Sequence, residues 1–210
     1  MNEVAAVYEK IAGWFDQTRT RALIELPYLD HLAGAVEQGA CVLDLGCGTG
    51  EPILRWLLER GYEVVGVDAS AAMIAIARTR FPAARLLVGD MRALPLQRSF
   101  DAIVAWHSLF HLPPDDQRAM FQTFARHLHP GGLLMFTSGS EAGEVWSENG
   151  GEALYHASLA EADYRSLLEA HGFQVLRHAA DDPDCGGATL WIALRLGSGL
   201  TFGHELCLSR

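Results

Sequence analysis

From residue 41 onward, short apolar runs alternate with helical periods, which predicts a mainly parallel sheet covered on both faces. The runs CVLDLG (41–46), EVVGVD (63–68), RLLVGD (85–90), DAIVAWH (101–107) and LLMFTS (133–138) are rich in Val, Ile, Leu and aromatic residues and read as strands. Helices fill the gaps. One runs from Pro52 to Arg60, opened by proline and stopped at Gly61, and another from Ser70 to about Arg80 with Ser70 as its cap. A third spans about Asp115 to Leu128. Its Met120, Phe121, Phe124, Ala125 and Leu128 share one apolar face, and Pro130-Gly131-Gly132 ends it.

Residues 3 to about 35 carry helical stretches, with Tyr8, Ile11, Ala12, Trp14 and Phe15 on one apolar stripe. After the fifth strand, GSEAGEVWSENGGE (139–152) is rich in Gly, Ser and Glu and reads as a mobile loop over a site. A helix from about Ala160 to His171 follows. Then FQVLRHA (173–179) and TLWIALRL (189–196) read as a closing antiparallel hairpin. The expected layout is one domain over 1–210: N-terminal helices over 1–38, a binding core over 41–138, and a lid loop, helix and hairpin over 139–196. The tail from 197 to 210 is left without a role.

Composition narrows the function classes. With 210 residues, half of them hydrophobic and 20% charged, the chain suits one core rather than two. No apolar run approaches the roughly 18 residues of a membrane span. The opening MNEVAAVYEK has early acids and no basic stretch before an apolar block, so a cytoplasmic protein is expected, with no membrane partner. The net charge of −10, without a Lys/Arg cluster, disfavours nucleic acid. Cys41, Cys47, Cys185 and Cys207 have no zinc-ligand spacing and read as reduced thiols, so no metal is expected.

The strongest chemical signal is Asp44-Leu45-Gly46-Cys47-Gly48-Thr49-Gly50-Glu51-Pro52, where the first strand turns into the first covering helix. Backbone passes close to a ligand there, which calls for glycine. The spacing is GxGxG rather than the GxGxxG of dinucleotide binders, which disfavours a nicotinamide dehydrogenase. Glu51-Pro52 adds charge and removes an N–H donor, so a pyrophosphate would sit badly. A ligand with a cationic amino group fits better, with Asp44 facing the cation. Asp68 ends the second strand 22 residues past Gly46 (68 − 46), where a carboxylate can accept ribose hydroxyls; alone it would read as a helix cap. Asp90-Met91 closes the third strand with groups suited to an adenine amino group and ring.

VLDLGCGTG, VGVDAS, VGDMRALP, FDAIVAWHSLFHL and HLHPGGLLMFT together resemble the successive motifs of class I S-adenosylmethionine (SAM)-dependent methyltransferases over residues 41–138. The terminal YHASLAEADYRSLLEAHGFQVL is similar to the tail of small stand-alone bacterial members. The resemblance implies a Rossmann-like three-layer α/β/α sandwich. Its seven-stranded sheet would be ordered 3-2-1-4-5-7-6, with strand 7 antiparallel and an N-terminal helical cap. It implies SAM as cofactor and S-adenosylhomocysteine as product. Gly46, Gly48 and Gly50 would line the methionine portion, Asp68 the ribose, and Asp90 and Met91 the adenine. Asp44, Cys47, Ala69, Met73 and Trp106 complete the cofactor set, and Tyr8 and Arg21 resemble positions that cap it.

Methyl transfer from a sulfonium needs positioning more than a base. At the end of the fourth strand, His107 and His111 are candidates to take a proton from the acceptor, although histidines four apart also cap strands or bond backbone. Their spacing lacks the following Glu and third ligand of a zinc site. Trp106 is either core or a wall of the acceptor pocket. The family's Asn/Asp-Pro-Pro-Tyr/Phe signature for nucleic-acid bases or protein amides is absent here. The expected function is therefore transfer of a methyl group to an O or N atom of a small molecule by a monomer or homodimer. A SAM-binding regulatory or partner protein without transfer activity is the alternative.

Overall fold

A computed structural model describes residues 3–94 and 96–197. Cys207 and the tail after Gly197 lie outside the described residues. Seven strands form one sheet in the order β3-β2-β1-β4-β5-β9-β8. They are β1 Cys41–Leu45, β2 Glu63–Asp68, β3 Arg85–Val88, β4 Phe100–Ala105, β5 Leu128–Ser138, β8 Phe173–Asp182 and β9 Ala188–Arg195. β1 through β5 pair in parallel, whereas β9 runs antiparallel to both β5 and β8. Counted without the two strands that pair apart from this sheet, β6 (Gly143–Asn149) and β7 (Glu152–Ser158), this is the order 3-2-1-4-5-7-6 with the seventh strand antiparallel.

Side-chain alternation along each strand builds two cores, one per face. On one face Val42, Val64, Ala102 and Val104 pack with Tyr28 and Leu32 of α2 (Leu26–Ala35), Leu54 and Leu57 of α3 (Ile53–Glu59), and Ile74 and Ala77 of α4 (Ala71–Arg80). On the other, Leu43, Leu45, Ile103 and Phe136 pack with Phe121 and Phe124 of α5 (Pro114–His127) and Tyr164 and Leu168 of α6 (Glu161–Ala170). Ser70 caps α4, its hydroxyl accepting from the Met73 amide. No helix of the described residues is long and apolar enough to cross a membrane.

The sequence reading fails at 139–152. In place of an irregular loop, β6 (Gly143–Asn149) and β7 (Glu152–Ser158) form a two-stranded antiparallel ribbon. Its turn is Gly150-Gly151, both at positive φ (59° and 82°), a dipeptide favoured in tight hairpins. That signal was present but obscured by the surrounding Ser and Glu. β6 is exposed nearly throughout, whereas Leu154 and Ala157 of β7 are buried.

Helix α1 (Glu3–Thr18) lies between this ribbon and α4. Glu9 accepts from the Ser70 hydroxyl at 2.7 Å and the Ala72 amide at 2.9 Å, at the start of α4. Asp16 takes a two-point bond from Arg80 at its end. On the ribbon side, Lys10 pairs with Glu152 at 2.9 Å. Of the expected apolar stripe, Ile11 and Ala12 are buried, while Trp14 is 43% exposed and lies against Gly150 at the ribbon's turn.

Candidate active site

The carboxyl ends of β1, β2 and β4, the loop after β3 and the inner face of α1 border a cavity of about 950 Å³, counting the part open to solvent. Clefts at the carboxyl edge of such sheets are where ligands bind. The turn after β1 shapes its floor. Gly46 sits at φ +77°, and a Cβ there would come within 2.3 Å of Ser108 Cβ. Ser108 in turn donates to the Leu45 carbonyl at 2.6 Å, locking the β4 end against this turn.

Asp68 accepts from the Gly48 amide at 2.9 Å and the Ser70 amide at 2.8 Å. Its carboxylate thus holds the glycine turn and the start of α4 while facing the cavity. Burial raises its pKa, against the lowering effect of the two amides. Asp44, 3% exposed, is pushed up to about 7 by burial and by the nearby Asp68. A buried acid beside a half-buried one makes a site that gains from a cation.

Asp90 lies beyond the end of β3, two residues later than the strand itself. It caps a short 3₁₀ turn (Met91–Ala93), and Arg92 grips its carboxylate, holding its pKa low. Asp90, Met91, Ala69 and Met73 line the cavity together with Gly46, Cys47 and Gly48. Two expected members do not. Gly50 is outside the lining, and a Cβ on it would strike the Phe81 ring at 2.6 Å. Arg21 stands outside the lining with its side chain 57% exposed, 3.8 Å from Asp16.

The guanidinium that lines the cavity is Arg19, which the motif reading missed because it follows α1 without a distinctive pattern. Its Nε donates to the Glu51 carbonyl at 3.1 Å, and it stands 3.8 Å from the buried Glu25.

At the end of β4, Trp106 is both core and wall: 4% exposed, it lines the cavity, and its Nε1 has no partner among the described residues. His107 has φ +49°, a left-handed conformation rare outside glycine and common at functional sites. Its amide donates to Thr137 Oγ1 at 2.8 Å. His111 Nδ1 is 2.9 Å from the Tyr155 carbonyl of β7. A carbonyl only accepts, so Nδ1 carries the proton and Nε2 is left as an acceptor. Nε2 takes it from the Tyr8 hydroxyl, 2.9 Å away on α1. Burial lowers both histidines to about 4, so both are neutral at physiological pH.

These residues fit SAM by the chemistry of their donor set. The Asp44–Asp68 pair suits a ligand bearing positive charge, Asp68 and Asp90 offer acceptors for ribose and adenine, and the Gly46 turn leaves room for backbone contact. Arg19 supplies the complement for a carboxylate.

Comparison with known proteins agrees. A family model described as a methyltransferase domain matches residues 42–132. The malonyl-[acyl-carrier protein] O-methyltransferase of Salmonella typhimurium is 31% identical over 217 residues, covering 96% of this chain and 81% of that protein. A dTDP-3-amino-3,6-dideoxy-alpha-D-glucopyranose N,N-dimethyltransferase of Streptomyces fradiae is 40% identical over 100 residues, covering 47% and 39%. The fold is shared with a SAM-bound amino pentose methyltransferase from Micromonospora echinaspora, at a TM-score of 0.69 and 22% identity over 90% of this chain and 96% of that one. The sheet order, the acid-and-glycine edge and these relationships together place the chain in the class I SAM-dependent methyltransferase family.

Proposed function

We propose that this enzyme transfers a methyl group to a nitrogen or oxygen atom of a small molecule by in-line displacement, as a monomer or homodimer in the cytoplasm. SAM, when bound, supplies a methyl group already activated by the sulfonium. The chain's task is then orientation and exclusion of water. Asp44, Arg19 and the Gly46 turn would hold the amino-acid end, Asp68 the ribose, and Asp90 with Met91 the adenine. Trp106, His107, His111 and Tyr8 would form the acceptor end.

The observation that carries this reading is the Tyr8–His111 hydrogen bond in the wall of the same cavity that holds the acid edge. A cavity serving cofactor storage alone has no need of a neutral imidazole held in one tautomer beside a hydroxyl. The net charge of −10 supports a small acceptor over a nucleic acid. Two relatives are named for acceptors of different chemistry, one acid-bearing and one an amino sugar.

The test is S-adenosylhomocysteine release from purified protein and SAM against a panel of small amines, alcohols and carboxylic acids. Turnover with a panel member is expected. SAM binding without product from any of them would instead identify a binding protein.

A further inference from the structure

The charges around the cavity restrict what can be methylated there. Among the described lining residues, Arg19 is the only lysine or arginine, against the carboxylates Asp44, Glu51, Asp68 and Asp90. Arg19, whose Nε donates to the Glu51 carbonyl, is the group assigned above to the carboxylate of SAM, so the acceptor end has no cation of its own among the described lining residues. Neither His107 nor His111 adds positive charge at neutral pH. An acceptor bearing a carboxylate or phosphate at its reacting end would be desolvated without a dedicated partner, a costly arrangement.

The hydrogen-bond directions restrict it further. The Tyr155 carbonyl fixes the His111 proton on Nδ1, so the Tyr8 hydroxyl gives its only proton to Nε2. Tyr8 Oη therefore meets the cavity as an acceptor and is matched by a ligand N–H or O–H. An alcohol must lose its proton as it attacks. The receiver would be His111 through Tyr8, and burial makes that imidazole a weak base. An amine has its lone pair available before any proton leaves.

We infer that the acceptor is an amine, bound as the free base with one N–H donated to Tyr8 Oη and its lone pair left for the methyl carbon. This rests on the methyl-transfer reading above. In the step, the nitrogen lone pair forms the new N–C bond while the C–S electron pair stays on sulfur. The products are S-adenosylhomocysteine and a methylated ammonium, which then gives a proton to water. Tyr8 is on this account a specificity-determining residue.

The test needs no knowledge of the natural acceptor. Three SAM analogues are titrated calorimetrically into the full chain near neutral pH, each with nitrogen in place of sulfur and the methyl group extended to an aminoethyl, hydroxyethyl or carboxymethyl arm. The aminoethyl compound is expected to bind at least about tenfold tighter than the carboxymethyl one, the scale of one hydrogen bond. Tyr8→Phe is expected to narrow that advantage while SAM affinity changes little. A carboxymethyl arm that binds as tightly, or an aminoethyl advantage untouched by Tyr8→Phe, would overturn the amine assignment and leave methyl transfer standing. Failure of SAM itself to bind would remove the methyl-transfer reading, and the amine assignment with it.

Discussion

Tyr8 and His111 are 103 positions apart in the chain, yet their side chains share a 2.9 Å hydrogen bond in the cavity wall. The bond ties the first helix to the end of β4, so a proton-bearing group from each side meets the ligand as one unit. Replacing His111 with Ala removes the acceptor that aims the Tyr8 hydroxyl and should lower kcat by about tenfold, the scale of one hydrogen bond. SAM affinity should stay within a few-fold. Steady-state kinetics paired with calorimetry separate the two, and full kcat in the variant would reduce His111 to packing.

Asp44 should couple cofactor binding to pH. Its pKa is held at about 7 by burial and by Asp68, whereas a cation beside it favours the ionised form. SAM should therefore bind less tightly as pH falls from 8 toward 6, and binding near pH 7 should release protons. Calorimetry in buffers of different ionisation enthalpy measures that release; Asp44→Asn should abolish it. The stability sign is opposite: the folded pKa lies above the unfolded value, so this group's contribution without ligand worsens as pH rises from about 4 to 7.

His107 and His111 work the other way. Their folded pKa values near 4 lie below the ordinary value, so the unfolded chain binds more protons between about pH 4 and 6.5. Their contribution to stability is present above that window and is lost as pH falls through it. Replacing His107 with Gln should flatten the acid limb of a denaturation midpoint plotted against pH, and an unchanged limb would contradict the assigned burial effect.

Arg19 and Arg21 give a paired comparison. Arg19→Met removes the one guanidinium that lines the cavity among the described residues and should weaken SAM binding by about tenfold or more. It should also lower stability by about 1 kcal/mol or more, because Glu25 loses its neighbour. Arg21→Ala, at an exposed side chain, should leave affinity within about twofold. Equal effects would contradict the placement.

Gly46→Ala should be severe. The backbone there is left-handed at φ +77°, and the new methyl would overlap Ser108 Cβ at 2.3 Å. A loss of about 1–3 kcal/mol is expected, with SAM binding lost as well because the turn forms the cavity floor. Thermal unfolding and cofactor titration together check it.

The sheet was readable because buried parallel strands leave near-continuous Val, Ile and Leu runs, and Asp44, Gly46 and Asp68 lie where those runs stop. What sequence could not show was convergence across the chain. Arg19 enters the cavity and Arg21 does not, though two positions apart, because their directions depend on how the chain leaves α1. His107's left-handed backbone was not legible, since histidine is enriched at positive φ yet most histidines do not adopt it. The β6–β7 ribbon was missed because β6 is solvent-facing on most of its length and shows no clean apolar alternation.

That ribbon reaches His111 through a main-chain oxygen. The Tyr155 ring is occupied elsewhere, its hydroxyl donating to Glu144 at 2.8 Å and its face meeting Trp146 edge-on. Every amino acid brings the same carbonyl, so the outer surface of the ribbon is free to diversify by point substitution without disturbing where the imidazole keeps its hydrogen. New acceptors can be explored on one side of the strand while the proton inventory on the other is inherited intact.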